Sequence, residues 1–169
     1  MSLPLQPTQM SAAKEEMTMR EILFRAKREA TNDWVYGYFE KAYDDFQIYV
    51  SPKIITKRGS EYVCEDTLGQ FTGLTDKNGV KIFEGDILQG DEYPYCSEGN
   101  YNYYAEVVWF DEGCCGAGLY THKNPKSTVR GISHGNCEWI EDFDSDNWEV
   151  IGNIYDNPEL IGEDGEQND

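Results

Sequence analysis

Four residues, Asp76-Lys77-Asn78-Gly79, separate two short apolar runs within the segment 70–88, QFTGLTDKNGVKIFEGDIL. Asn78 and Gly79 tolerate a positive φ at low steric cost, so the chain can reverse here with the twist that paired strands require. The segment therefore predicts a β-hairpin. Neither this segment nor the rest of the chain contains a nucleophile with its base, a phosphate-binding loop or a closed set of metal ligands, so the hairpin indicates architecture rather than chemistry.

Further strand patterns lie on both sides of the hairpin. The sequence has 12 Tyr, 7 Phe and 4 Trp, and aromatic residues suit the half-buried faces of strands. Segment 34–39 alternates, which places Trp34, Tyr36 and Tyr38 on one face of a strand and Val35, Gly37 and Phe39 on the other. Other predicted strands are 21–27, 46–50, 53–56 (interrupted at Ser51-Pro52), 61–64, 119–121, 137–140 and 149–154.

The second half of the chain adds three expectations about connections. Segments 86–89 and 105–110 should pair as neighbouring strands. The glycine-rich segment 113–118 is interpreted as a turn or loop, and 122–135 as an irregular surface connection. Asn157 is expected to cap a short C-terminal helix that has Pro158 at its first position.

Three blocks of the sequence resemble the YopX family of phage and prophage proteins. The central block runs Thr67, Gly69-Gln70, Thr72-Gly73-Leu74, Asp76-Lys77-Asn78-Gly79, Ile82, Glu84-Gly85-Asp86-Ile87; the others are 19–27 (MREILFRAK) with 34–38 (WVYGY), and 148–160 (WEVIGNIYDNPEL). The likeness departs at Ala26, where the family usually has Gly, and no motif matches across 90–147. The resemblance implies a small, mainly β fold with an SH3-like barrel and additional hairpins, encoded on mobile elements, with no established biochemical activity.

The length of 169 residues is sufficient for one domain with its own core. Residues 19–161 are assigned to a single YopX-like domain. Residues 1–18 contain Pro4 and Pro7 without a sustained period, so they are interpreted as a disordered leader or expression scar. Residues 162–169 are interpreted as an acidic disordered tail.

The charge is strongly negative and unevenly distributed. The formal net charge is −18; residues 1–60 hold 9 Lys and Arg against 8 Asp and Glu, whereas residues 61–169 hold 5 against 24. Nucleic-acid binding draws its affinity from cations, so direct binding to DNA or RNA is not expected. The negative charge is explained either by solubility, or by an acidic surface that engages a basic partner, as in a protein that mimics DNA.

The cysteines do not indicate a catalytic or metal site. The N-terminus lacks the basic start and apolar run of a signal peptide, which indicates a cytoplasmic protein with reduced thiols. Cys114 and Cys115, with His122 and His134, raise the possibility of a thiol nucleophile, but no thiol-protease signature surrounds them. Adding Cys96 and Cys137 does not produce the paired spacing of a zinc site.

The acidic segment 142–146 partly matches a calcium loop. Asp142, Asp144 and Asp146 alternate like the first ligands of such a loop. Asn147 stands where the loop requires Gly, and Asn153 stands where it requires a bidentate Glu. Solvated carboxylates are the preferred interpretation, and no metal, cofactor or enzymatic activity is expected.

The segment 93–104, YPYCSEGNYNYY, has the composition of a protein-binding loop, because tyrosine offers large contact area at small entropic cost. Its candidate interface residues are Tyr93, Tyr95, Tyr101, Tyr103 and Tyr104. The alternative is that 101–104 begins a strand whose tyrosines cover the core. We therefore expect a phage or prophage accessory protein of the bacterial cytoplasm that binds a protein partner, either a different protein or a second copy of itself. The alternative function is interference with nucleic-acid enzymes, by mimicking DNA or by regulating a host enzyme.

Overall fold

The structure, a computed structural model, describes residues 21–43, 49–110, 116–128, 137–139 and 144–162. Within these ranges the chain forms strands and short 3-10 turns, without an α-helix. The 3-10 turns are Glu65–Thr67, Ser145–Asn147 and Pro158–Leu160. The strands are β1 Phe24–Lys27, β2 Trp34–Tyr43, β3 Tyr49–Thr56, β4 Gly59–Tyr62, β5 Gly69–Thr75, β6 Lys81–Phe83, β7 Asp86–Gly90, β8 Cys96–Ser97, β9 Asn100–Tyr101, β10 Tyr103–Phe110, β11 Gly116–Lys123, β12 Cys137–Trp139 and β13 Trp148–Asn153.

The strands build two sheets and one small ribbon. The first sheet has the order β4-β3-β2-β1-β5-β6, the second has the order β12-β11-β10-β7-β13, and β8 pairs with β9. The predicted pairing of 86–89 with 105–110 is confirmed, since Leu88 lies opposite Ala105 and Ile87 opposite Glu106. The prediction of a mainly β fold is confirmed as well.

The expected closed barrel is wrong, because neither sheet closes on itself. The first sheet comes nearest to closure where an isolated bridge joins Arg28 to Val63, beyond the ends of β1 and β4. The 3-10 turn Glu65–Thr67 follows almost at once and carries the chain to β5. The bridge therefore cannot extend into a ladder, and β4 and β6 remain the edges of the sheet.

The expected C-terminal helix is also wrong. Pro158–Leu160 is a single 3-10 turn, and although Pro158 occupies its first position, the Asn157 side chain makes no capping hydrogen bond. Asn157 Oδ1 instead accepts the N–H of Asn153 at 3.4 Å. The side chain points back to the end of β13, so it is not available to start a helix.

Two details of the predicted strands need correction. The chain does not break at Ser51-Pro52, because β3 is continuous through both. The Pro52 carbonyl accepts the N–H of Val63, just beyond β4, at 3.1 Å. Pro52 therefore lies at the end of the β3–β4 ladder, where its lack of an N–H is tolerated. Part of the predicted glycine-rich loop is strand, since Gly116 and Gly118 pair with β10. The rest of that loop, and half of 122–135, lie outside the described residues. His122 and Lys123 belong to β11, so the predicted irregular connection begins later than expected.

Two clusters of buried side chains form the core. One lies within the first sheet around Ala26, Val35, Ile54 and Val63. The predicted alternation of β2 is confirmed there, because Val35 and Gly37 are buried and Tyr36 and Tyr38 are exposed. The second cluster joins β6 to the second sheet and consists of Ile82, Leu88, Tyr95, Tyr103, Ala105, Val107 and Leu119.

Two ion pairs, one of them buried, hold β1 against the second sheet and the chain that follows it. Arg25 pairs with Asp86 of β7 at 2.6 Å, and both side chains are almost fully buried. Lys27 pairs with Asp156, just after β13, at 2.5 Å. The Asp156 carboxylate also accepts the Trp34 indole N–H at 2.7 Å. Hydrogen bonds from Lys27, Asn153 and Trp34 lower the pKa of Asp156 to about 2.

The central hairpin is confirmed, and its turn is held by one buried carboxylate. Gly79 has a φ of 77°, as the turn requires. Asp76 Oδ1 accepts the N–H groups of Asn78 at 2.8 Å and Val80 at 2.9 Å. Asp76 Oδ2 accepts the N–H of Val150 in β13 at 3.0 Å. This carboxylate therefore shapes the turn and attaches it to the second sheet.

Replacing Gly79 by Val is expected to destabilise the fold by at least ~1 kcal/mol, because a β-branched residue resists positive φ. No atom lies within 4 Å of a Cβ placed on Gly79, so the loss would come from backbone strain and not from a clash. Chemical denaturation measures it. Gly79→Asn is the matched control and should lose less, since Asn tolerates this conformation. Equal stability of Gly79→Val and the wild type would contradict the assignment of the turn.

Replacing Asp76 by Asn is expected to cost about 1 to 3 kcal/mol, because one buried N–H loses its acceptor. Burial raises the pKa of Asp76, but the N–H groups of Val150, Val80 and Asn78 outweigh burial and hold it below the ordinary 3.8. A lowered carboxylate pKa contributes stability above pH 3.8 that is lost as the pH falls below it. Denaturation of both proteins between pH 7 and pH 3 should show the difference shrinking with acid; a constant difference would contradict this role.

A candidate surface of tyrosines and carboxylates

The tyrosine-rich segment leaves the second sheet after β7 and returns as β10. Between them, β8 and β9 form a two-residue ribbon in which Cys96 lies opposite Tyr101. Glu98 and Gly99 reverse the chain with φ of 52° and 78°. The Asn102 N–H donates to the Tyr95 carbonyl at 2.8 Å and closes the base of the excursion. We call residues 91–102 the tyrosine loop.

Two of the five candidate tyrosines belong to the core. Tyr103 is fully buried and Tyr95 is 6% exposed. The Tyr95 ring packs edge-on against Trp148 at 4.7 Å between centroids, and its hydroxyl lies 3.1 Å from Thr121 Oγ1. These two side chains cannot contact a partner while the protein is folded. The alternative interpretation, in which 101–104 begins a strand that covers the core, therefore holds for Tyr103. Tyr95 is a core residue outside that range.

The other three tyrosines reach the surface to different extents. Tyr93 is 74% exposed. Tyr101 is half-buried, and its hydroxyl donates to Asp91 Oδ1 at 3.2 Å; desolvation and then the Asp91 carboxylate raise its pKa. Tyr104 is half-buried and accepts a hydrogen bond from Asn124 Nδ2 at 3.0 Å; burial raises its pKa. The candidate interface thus narrows to Tyr93, with the edges of Tyr101 and Tyr104.

The acidic turn that precedes β13 packs beside the tyrosine loop. The Asp91 N–H donates to the Asn147 carbonyl at 2.9 Å. Asn147 Nδ2 in turn donates to Glu92 Oε1 at 2.9 Å. The Asp144 carboxylate caps the 3-10 turn by accepting the Asp146 N–H at 3.1 Å. Two segments that are 55 residues apart therefore form one surface.

This surface is strongly acidic. Asp91, Glu92, Glu98, Asp144 and Asp146 are all exposed on it. Tyr93 directly follows Asp91 and Glu92 in the tyrosine loop, so the surface combines an exposed ring with several carboxylates. We call it the tyrosine–carboxylate surface.

Lys77 lies at the base of this surface. Its Nζ is 3.0 Å from Asp91 Oδ2 and 3.2 Å from Glu149 Oε2. Hydrogen bonds to Asp91 and Glu149 raise the pKa of Lys77, and Lys77 lowers the pKa of Asp91. The central hairpin, which carries Lys77, therefore fastens the tyrosine loop to β13.

The sequence did not predict that Asp91, Glu92 and Asn147 would join these segments. In the sequence, Asn147 is marked only by its mismatch to the glycine of a calcium loop. The available signal was that one segment is rich in Tyr and the other is rich in Asp. Composition does not give the distance between two segments in space.

The residues considered for catalysis and metal binding do not come together within the described part of the chain. His122 is buried, and its Nε2 lies 2.6 Å from Glu106 Oε2, so it is engaged in a local pair. Cys96 is a free, half-buried thiol. Cys114, Cys115, His134 and Asp142 lie outside the described residues, as does the Cys137 side chain. Across the described ranges, no three His, Cys, Asp or Glu side chains are grouped as metal ligands.

The comparisons with known proteins point to one family. The model of the family described as YopX protein matches residues 23–162. The crystal structure of protein EF1440 from Enterococcus faecalis is similar to this chain, with 24% sequence identity and a TM-score of 0.47. That alignment covers 85% of this chain and 100% of the other. No curated protein matches. Among the described residues, none forms a helix of the length and apolar character that crossing a membrane requires.

We expect the purified protein to carry neither zinc nor calcium in stoichiometric amount, because the acidic side chains at 144 and 146 are arranged as a turn cap and a solvated carboxylate. Elemental analysis of the protein after gel filtration measures the metal content. About one equivalent of either metal per chain would contradict the expectation. Zinc would then implicate the cysteines, and calcium the aspartates at 142, 144 and 146.

Proposed function

We propose that this chain, which belongs to the YopX family, is a non-catalytic protein-binding module. One observation carries the proposal: the tyrosine loop and the acidic turn form one exposed surface, in which Asn147 donates a hydrogen bond to Glu92. Exposed aromatic rings supply much of the energy of protein contacts, and surrounding charges supply orientation and specificity. The tyrosine–carboxylate surface has both components.

The chemistry of the surface favours a basic protein as its partner. Five exposed carboxylates belong to the same surface as Tyr93, and Lys77 already pairs with Asp91 and Glu149 at the base. A partner that presents Lys or Arg around an apolar pocket would accept the ring and neutralise the carboxylates. As the family resemblance implies, we place this activity in a phage or prophage accessory protein that acts in the host cytoplasm.

The acidic surface also supports the second candidate function, interference with nucleic-acid enzymes by imitation of DNA. A mimic would bind mainly through its carboxylates, so its complex should weaken steeply as salt increases. A contact anchored by Tyr93 should weaken much less. The salt dependence of the captured complex therefore separates these two functions.

The proposal predicts that the double variant Tyr93→Ser, Tyr101→Ser loses most partner capture and keeps its fold. Contact aromatics often contribute ~2 kcal/mol or more each, whereas exposed loop residues contribute little to folding. The measurement is capture from lysate of the bacterial host with quantitative mass spectrometry, beside thermal melting. Unchanged capture by the folded double variant would place the interface elsewhere.

Two controls accompany this experiment. Tyr95→Ser should lower stability by about 3 kcal/mol or more, because it removes a buried ring. The charge variant Glu98→Gln, Asp146→Asn should weaken capture. Its control, Glu65→Gln, Asp66→Asn, removes the same number of exposed charges at the 3-10 turn Glu65–Thr67 and should leave capture unchanged. Equal effects of both charge variants would indicate a response to net charge and not a binding surface.

A further inference from the structure

One face of the first sheet exposes tyrosines across three neighbouring strands. Tyr36 and Tyr38 of β2 are 49% and 66% exposed, and Tyr62 of β4 is 48% exposed. Between them on β3 lie Ile55, opposite Tyr38, and Lys53, opposite Tyr62. Because alternate residues of a strand and directly opposed residues share a face, these five side chains form one surface. We call it the tyrosine face.

Within the part of the chain that the structure describes, the same face of the sheet is covered over β1. There Arg25 and Lys27 are buried by contacts with Asp86 and Asp156. The cover ends at Tyr36, whose ring meets Phe83 edge-on at 5.5 Å. Beyond Tyr36, the Tyr38 side chain makes no ring contact or side-chain hydrogen bond with the described part of the chain. A sheet face that exposes several aromatic rings is a candidate site for a partner.

Basic residues surround the tyrosine face. Lys53 Nζ lies 4.5 Å from the centre of the Tyr62 ring. Lys57 and Arg58 form the exposed turn between β3 and β4. Among the residues that the structure describes, neither has an ion pair with a carboxylate. Glu40 of β2 is exposed on the same face opposite Lys53 and offsets one of the three cations. The tyrosine face therefore keeps a local excess of positive charge, in contrast to the tyrosine–carboxylate surface built around the second sheet.

We infer that the tyrosine face of one copy binds the tyrosine–carboxylate surface of a second copy, so that copies associate head to tail. The inference rests on the proposed function, since it assigns a partner to the same acidic surface. The two surfaces have opposite charge and each exposes tyrosine. They lie on different parts of the fold, so the contact is heterologous, and a pair of copies keeps one free surface of each kind.

The net charge of −18 does not prevent this contact at physiological salt. The Debye length is then about 8 Å, so distant like charges are screened and nearby opposite charges decide the interaction. The tyrosine face spans three strands about 4.8 Å apart and about five residues along β2, roughly 10 Å by 15 Å. Stable interfaces bury about 800 Å² on each partner, so we expect a weak association that appears only at high concentration.

Complementation between two variants tests the arrangement. The face variant is Tyr38→Ser, Arg58→Glu, and the surface variant is Tyr93→Ser, Asp146→Lys. Sedimentation equilibrium of the full chain should show association of the wild type as the concentration rises to about 500 µM. Each variant alone should associate more than about tenfold more weakly. An equimolar mixture should form a one-to-one dimer and nothing larger, because one intact contact remains.

Several results would overturn the inference, provided that thermal melting shows both variants folded. The wild type could stay monomeric, or the mixture could form no dimer. Self-association that is lost in the face variant alone would indicate a symmetric contact and would overturn the inference as well. Binding of a labelled single-stranded oligonucleotide to the wild type, with loss in the face variant, would also overturn it by assigning the face to nucleic acid. Ile22→Ser, Glu65→Lys is the matched control and should associate like the wild type.

The two proposals can fail separately. If the chain captures a host protein through Tyr93 but remains monomeric, the proposed function stands and the head-to-tail contact is rejected. If the variants complement each other but nothing is captured from lysate, the partner of the acidic surface is the chain itself.

Discussion

The buried ion pair between Arg25 and Asp86 is the interaction on which the arrangement of the two sheets depends. The guanidinium lies 4.7 Å above the Trp34 ring, and its Nη2 donates to the Glu84 carbonyl at 3.1 Å. Asp86 Oδ2 accepts the Phe83 N–H at 2.8 Å, so the carboxylate also sets the corner between β6 and β7. Burial raises the pKa of Asp86, and Arg25 opposes that rise. Such a pair is costly to break from one side, because the remaining charge stays buried.

This ion pair explains why the first sheet is covered on one half of a face and exposed on the other. Charged side chains on β1 require partners, and the second sheet and the chain after β13 provide them through Asp86 and Asp156. Farther along the sheet, β2, β3 and β4 present tyrosines and Ile55, which can remain partly in contact with water. The boundary lies at Tyr36, whose ring contacts Phe83 of β6.

The acidic surface depends on a second set of connections, which begin at the central hairpin. Asp76 binds the backbone of β13, and the Lys77 N–H donates to the Trp148 carbonyl at 3.0 Å. These contacts hold the start of β13 in position, and Asn147 then fastens the tyrosine loop beside it. A turn of the hairpin thus supports a surface formed by residues far from it in sequence.

Local patterns in the sequence determined the central hairpin, the alternation of β2 and the mainly β composition, because each depends on neighbouring residues and on backbone preferences at Gly79. Only the tertiary structure decided which tyrosines are exposed. Tyr93 and Tyr95 are two residues apart, yet one reaches solvent and the other packs on Trp148, a residue 53 positions further along the chain. Closure of the sheets also depended on distant contacts, since a short strand pairs with whichever strand the folded chain brings near it. The C-terminal turn depended on a local competition, because Asn157 bonds to Asn153 at the end of β13 and does not cap a helix.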